Sequence, residues 1–262
     1  MYGHRLKLLV CFGSASLMLY AWAININVHA SNNYASCHGS KAKATGVNLA
    51  PSDAQKIYAQ AQSITVKIRS SEFLGSGIIL NQQDCEYTVL TNAHVVEAGS
   101  SSYQIQTSDS RIWQAQLVKN QSFGKRDLAL LKFRTKGVPY NIATVGSSPI
   151  VGDIVFAGGF PATEDATSAK EFNFTQGKVS IVLSKALEGG YRIGYTNNIQ
   201  KGMSGGPLVN SRGEVVGVNG MQAYPLWEIP SVYADGNKVD ANLHEKINRL
   251  SWAVPMSGIS DI

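Results

Sequence analysis

A serine hydroxyl becomes a useful nucleophile at neutral pH when a histidine takes its proton and a carboxylate holds that histidine in the right tautomer. Candidates for all three roles stand in short, distinctive stretches of this chain. Ser204 lies in "NIQKGMSGGPLVN", His94 in "VLTNAHVV" and Asp127 in "KRDLALLKF". Taken singly, each has an ordinary reading: a small residue in a Gly/Pro turn, a turn or core histidine, and a loop carboxylate before a strand. Taken together they point to acyl transfer, with Ser204 as nucleophile, His94 as general base and Asp127 as the acid that orients it. Gly202 allows a sharp turn that aims its N–H and that of Ser204 at one spot. Such an oxyanion hole stabilises a tetrahedral intermediate by about 3 kcal/mol per donor.

These side chains need a scaffold that brings distant segments together. From Ile64 the sequence breaks into short runs of β character: "ITVKIRS", "GSGIIL", "YTVLTNAHVV", "YQIQTS", "IWQAQLVKN" and "LALLKF". A turn-rich stretch near residues 135–150 follows. A second series then begins with "IVFAGGF" and continues through "EFNFTQGKVSIVL", "YRIGYTN", "GPLVN" and "EVVGVNG" to the strand-like "SWAVPM". Alternating or wholly apolar runs separated by turn residues predict an all-β protein. The expected fold is two six-stranded antiparallel barrels, one over about 60–140 and the other over about 150–262. The first barrel would carry His94 and Asp127, and the second Ser204, which places the site in the cleft between them. Two short helices are expected beside the barrels. One is "PSDAQKIYAQAQ", and the other is "DANLHEKINRL", with Asp240 as its cap and Leu243, Ile247 and Leu250 on one face.

The first thirty residues have a different character. Arg5 and Lys7 precede the apolar "LLVCFGSASLMLYAWAI", and "VHA" closes the segment with small residues. This pattern predicts a secretory signal peptide over 1–30, cut after Ala30, the alternative being a retained membrane anchor. The mature chain would then be secreted or periplasmic, with a flexible arm over 31–59 and a catalytic domain over 60–262. Removing the leader takes away two of the 23 basic residues and none of the 18 acidic ones, leaving a net charge of +3. That is too little and too scattered for a nucleic-acid partner. Cys37 and Cys85 remain in the exported part, either as one disulfide or as two thiols.

The strings "TNAHVV", "RDLALLKF" and "GMSGGPLVN", in this order and spacing, resemble the trypsin-like (chymotrypsin-fold) serine proteases. With "GSGIIL" at 75–80 ahead of the histidine strand, the chain is most similar to the bacterial HtrA/Deg-like branch. The resemblance covers roughly residues 60–260. It implies a serine endopeptidase acting on proteins or peptides through the His94–Asp127–Ser204 triad, with Gly202 and Ser204 forming the oxyanion hole and no metal or other cofactor required. It also implies that Asn198 forms the base of the specificity pocket and that Val218, Asn219 and Gly220 form the strand that holds substrate backbone. Asn198 is uncharged, which favours a small, aliphatic or polar P1 residue over arginine or lysine. Tyr224, Trp227 and Tyr233, in the loop that follows, are candidates to flank the cleft.

Two departures from the family pattern carry expectations. Trypsin-like zymogens pair a newly cut N-terminus with an aspartate just before the serine, whereas this chain has Met203 there. Activation by insertion of an N-terminus is therefore not expected. Only 58 residues follow Ser204, enough to finish a barrel, so no PDZ domain is expected either. Two rival readings compete. "GMSGG" also satisfies G-x-S-x-G, but Asp240 and His244 lie too close together to supply the strand-end acid and base of an α/β-hydrolase, and a strand rather than a helix follows the serine. The other is a catalytically silent binding protein on the protease fold.

Overall fold

Twelve strands, short and amphipathic as the sequence predicts, close into two barrels in this computed structural model. It describes residues 53–69, 74–97, 102–119, 123–163, 171–224 and 232–259, all within one compact unit, Ala35–Ile262. The leader, Cys37, His38 and Trp227 lie outside the described residues. The first barrel is made of β1 (Thr65–Arg69), β2 (Leu74–Gln83), β3 (Glu86–Thr91), β4 (Tyr103–Gln106), β5 (Ile112–Leu117) and β6 (Ala129–Arg134). Its strands close in the order β1-β2-β3-β6-β5-β4, all antiparallel. The second is made of β7 (Ile154–Gly159), β8 (Asn173–Val182), β9 (Ile193–Tyr195), β10 (Pro207–Asn210), β11 (Val215–Met221) and β12 (Ser251–Pro255). It closes as β10-β11-β12-β9-β8-β7, again antiparallel. Register shifts between Ile79 and Asn81, and between Asn219 and Met221, supply the local bends that closure of a small barrel demands.

Alternation along the strands fills each barrel. Val66, Ile68, Ile79, Val89, Leu131 and Phe133 form the first interior. Val155, Val179, Ile193, Met203, Leu208 and Val216 form the second. A third apolar cluster joins the two, with Ile78 and Leu90 of the first barrel in one group with Phe156, Val209 and Trp252 of the second. Trp252 is 1% exposed there. Truncating a large buried side chain of this kind costs about 3–5 kcal/mol, so the seam is a strong one. A site built across it is correspondingly well fixed.

The helices refine the expected boundaries. Helix α1 (Asp53–Ile64) buries Ile57, Ala61 and Ile64, one face at helical spacing. Because Ile57 is buried, residues 53–59, expected as part of the arm, pack with the folded body; the rest of the expected arm, 31–52, lies outside the described residues. A five-residue helix, α2 (Ala93–Glu97), interrupts the expected strand run at "NAHVV" and carries His94. Helix α3 (Ala241–Arg249) starts as its sequence predicts, the Asp240 carboxylate accepting from Leu243 N at 2.9 Å. Cys85 is disulfide-bonded, which resolves the two alternatives for that residue. Of the loop aromatics, Tyr224 is exposed, while Tyr233 is partly buried with the Lys185 ammonium 4.8 Å from its ring centre.

Candidate active site

His94 and Asp127 are placed by two turns at the same end of the first barrel. β3 stops at Thr91, and α2 is seated by buried Val95 and Val96. Its end is tied down by Tyr103, whose hydroxyl donates to the Val96 carbonyl at 2.5 Å. Asp127 precedes β6, and its backbone is held on both sides. Its N–H donates to Gly189 O at 2.8 Å, and its carbonyl accepts from the Asn92 amide at 2.8 Å. The carboxylate therefore faces the start of α2. Oδ1 accepts the His94 backbone N–H at 2.9 Å, and Oδ2 lies 2.6 Å from His94 Nδ1.

A carboxylate can only accept, so Nδ1 carries the proton and Nε2 keeps its lone pair. The Tyr191 hydroxyl also donates to Oδ2. Burial alone would raise the pKa of Asp127. The ring hydrogen bond and charge of His94, the Tyr191 hydroxyl and the His94 N–H outweigh it, and hold the carboxyl below its ordinary range. The Asp127 side chain is 14% exposed and that of His94 46%, so the carboxylate is shielded while the imidazole is open to solvent.

Ser204 sits on a turn that only glycine permits at two points. Gly202 has φ +93° and Gly205 φ +84°. A Cβ at Gly202 would run into the backbone at Phe160–Ala162, and one at Gly205 into Ser76 O and the Thr91 hydroxyl. The turn is clamped by the first barrel. Ser76, the second residue of "GSGIIL", donates its N–H to Ser204 O at 2.9 Å and its hydroxyl to Gly202 O at 2.8 Å. The same hydroxyl accepts from Phe160 N at 2.9 Å, while Thr91 donates to Ser76 O at 2.8 Å. From the second barrel, buried Asn219 accepts at its carbonyl from Gly205 N at 2.8 Å. Its amide donates to Gly158 O and Pro207 O, and its side-chain oxygen accepts from Tyr195 at 2.8 Å.

Met203 is wholly buried in the apolar interior of the second barrel. The turn that carries Ser204 is thus held by Ser76 and Asn219 through neutral hydrogen bonds. Among the described residues, the N–H groups of Gly202 and Ser204 have no acceptor.

Replacing Ser76 by alanine strands two buried backbone groups, Gly202 O and Phe160 N. Each unpaired group costs about 1–3 kcal/mol, so urea unfolding should show a loss of about 2–6 kcal/mol. Turnover should fall as well, because the turn that carries Ser204 loses its clamp. Unchanged stability and turnover would show the clamp to be dispensable.

The triad candidates are not all hydrogen-bonded to one another. His94 and Asp127 are joined directly, whereas the Ser204 hydroxyl donates to Gly220 O at 3.2 Å. Of the substrate-strand candidates, Gly220 is beside Ser204. Val218 is fully buried with strand partners on both sides, Pro207 and Val254, and Asn219 is occupied with the clamp. Asn198, expected at the pocket base, is exposed. Ser76, Thr91 and Tyr191 are site-forming residues not anticipated from the sequence. For Ser76 the local hint is its place between two glycines, which names no partner.

Two barrels with this turn at their seam define a trypsin-like fold, and comparison with known proteins agrees. Residues 75–218 match the model of the trypsin-like peptidase domain, more than half of the chain, so the chain belongs to that family. Its relatives include a putative serine protease HhoA from Synechocystis (31% identical, covering 63% of this chain and 41% of the relative). Another is the serine endoprotease DegS of Salmonella typhimurium (34%, covering 56% and 39%), and a third is the serine protease HTRA1 of Xenopus tropicalis (31%, covering 68% and 37%). The chain therefore spans about two fifths of the length of the curated relatives it matches. Among solved structures it is similar to the HtrA-type protease AlgW with a tripeptide, at TM-score 0.57 and 27% identity, covering 78% of this chain and 60% of that one. A serine endoprotease from Yersinia pestis, at TM-score 0.56 and 24% identity, covers 80% and 64% and supports the fold.

Proposed function

We propose that the chain is a serine endopeptidase that cuts unfolded proteins or peptides through an acyl-enzyme intermediate. The observation that carries this reading is the paired geometry of His94 and Asp127, with Nδ1 committed to the carboxylate and Nε2 left as base. In the proposed cycle the Ser204 hydroxyl leaves Gly220 O by rotation about its Cα–Cβ bond and gives its proton to Nε2. Oγ then attacks the substrate carbonyl. The oxyanion is received by the N–H groups of Gly202 and Ser204, and Asp127 stabilises the imidazolium. Collapse of the tetrahedral intermediate breaks the C–N bond, Nε2–H protonates the departing amine, and the acyl group stays on Oγ as an ester. Water, deprotonated by Nε2, repeats the sequence and frees the acid and Ser204. Every proton is carried by His94, and no cofactor is required.

The basic–apolar–small pattern of residues 1–30 supports export and cleavage after Ala30. Recovered exported protein beginning at Ser31 would bear this out, and retention of residue 1 would contradict it. The activity is tested by incubating the purified chain with an unfolded protein and a peptide library near neutral pH. Internal cleavage with a covalent acyl adduct is expected. A folded chain that cuts nothing would favour the silent binding protein.

A further inference from the structure

We propose that Tyr191 is a positioning residue of the catalytic constellation, its hydroxyl reaching from the second barrel to hold the Asp127 carboxylate of the first in the orientation that His94 requires. The proposal deepens the triad reading and rests on it.

Tyr191 is 4% exposed and follows a turn in which Gly190 N donates to Leu187 O and Leu187 N to Tyr191 O, each at 2.9 Å. The same turn supplies Gly189 O, which accepts from Asp127 N at 2.8 Å. One short segment of the second barrel thus grips both the backbone and the side chain of the acid. The hydroxyl donates to Oδ2, the oxygen that also receives His94 Nδ1–H, while Oδ1 receives the His94 backbone N–H. Three donors fix the carboxylate plane, where the two from His94 alone would leave Oδ2 held only by the ring it is meant to orient. Burial and the neighbouring carboxylate keep the phenol protonated, so it remains a donor at every pH at which the enzyme works.

The other end of this arrangement is Gly220. A Cβ there would collide with the Tyr191 hydroxyl and ring, so the tyrosine occupies the space that a side chain at 220 would fill. Gly220 is also the residue whose carbonyl takes the Ser204 hydroxyl. Tyr191 therefore lies in contact with the acid and with the strand residue against which the nucleophile rests. A buried tyrosine usually needs some partner for its hydroxyl, and backbone carbonyls serve well, as Val96 O does for Tyr103. Here the partner is instead the carboxylate that sets the tautomer of the base.

The test is Tyr191→Phe, which keeps the ring packing and removes only the hydroxyl. Loss of one charge-assisted donor to Asp127 should lower kcat about 10- to 100-fold with KM changed less than about twofold. Proton NMR supplies a second reading that packing alone would not move. The His94 Nδ1 proton, freed from competition for Oδ2, should shift downfield in Tyr191→Phe. It should shift upfield when 3-fluorotyrosine, a stronger donor of nearly the same size, replaces Tyr191. Wild-type kcat in the Phe variant, or an Nδ1 proton that does not move in opposite directions with the two replacements, would overturn the role of Tyr191 alone. A wild-type chain with no Ser204-dependent turnover would overturn the triad reading and this role with it.

Discussion

His94→Ala should lower turnover of a peptide substrate by about a thousandfold or more, with little change in KM. Among the described residues, the group that the Ser204 hydroxyl touches is the Gly220 carbonyl, an acceptor too weak to remove its proton. The variant should stay folded, since the His94 side chain is 46% exposed and the helix that carries it is seated by Val95 and Val96. A second signature should accompany the loss. Wild-type activity should rise from acid towards neutral pH, because only the neutral imidazole accepts a proton. The residual activity of the alanine variant, supported by the oxyanion donors alone, should lack that rise. Initial rates across this range check both points, and an alanine variant with the wild-type profile would remove His94 from the mechanism.

Asp127→Asn should be nearly as damaging, with kcat reduced by about 10³- to 10⁴-fold, because the carboxylate serves three donors and an amide has one oxygen. If the amide nitrogen takes the place of Oδ2, it meets His94 Nδ1 and the Tyr191 hydroxyl. Nδ1 must then accept, its proton moves to Nε2, and the base is lost. If it takes the place of Oδ1, it opposes the His94 backbone N–H, at 2.9 Å from that oxygen in the wild type.

The substitution should also change how stability responds to pH. The folded pKa of Asp127 lies below its ordinary value, so the unfolded chain binds the proton more tightly. The stabilisation is complete above the ordinary aspartate range, about 3.9, and is lost as pH falls through the lower folded value. Between about pH 5 and pH 3 the melting temperature of the wild type should therefore fall more steeply than that of Asp127→Asn. Parallel melting curves would mean that the acid is not held in its charged form.

Much of this was legible in the sequence, and the exceptions have physical reasons. The barrel strands announce themselves by local alternation, and Asp240 by its place just before an apolar helical face. His94, Asp127 and Ser204 stand out because acyl transfer admits few residue types and each sits in a short string that resembles a known family. The short helix around His94 was hidden at the end of the apolar run "YTVLTNAHVV", where five residues give too little periodicity to show a change from strand to helix. Tyr191 and Ser76 were hidden because their work is tertiary. Tyr191 meets Asp127 across 64 positions, and Ser76 meets Gly202 across 126, with no local pattern that points to the partner. Asn198 shows a different limit. Its offset from Ser204 was read from family resemblance, but an offset does not say which way a side chain faces, and this residue is exposed.

The central claim is that Ser204 is a nucleophile activated by His94. It is tested most directly by treating the purified chain with a fluorophosphonate and locating the adduct by mass spectrometry of the digested protein. The expected result is one phosphonyl group per chain on Ser204, formed rapidly by the wild type, slowly by His94→Ala and not at all by Ser204→Ala. An adduct on another residue, labelling that survives Ser204→Ala, or an unlabelled wild-type chain that is demonstrably folded would contradict it.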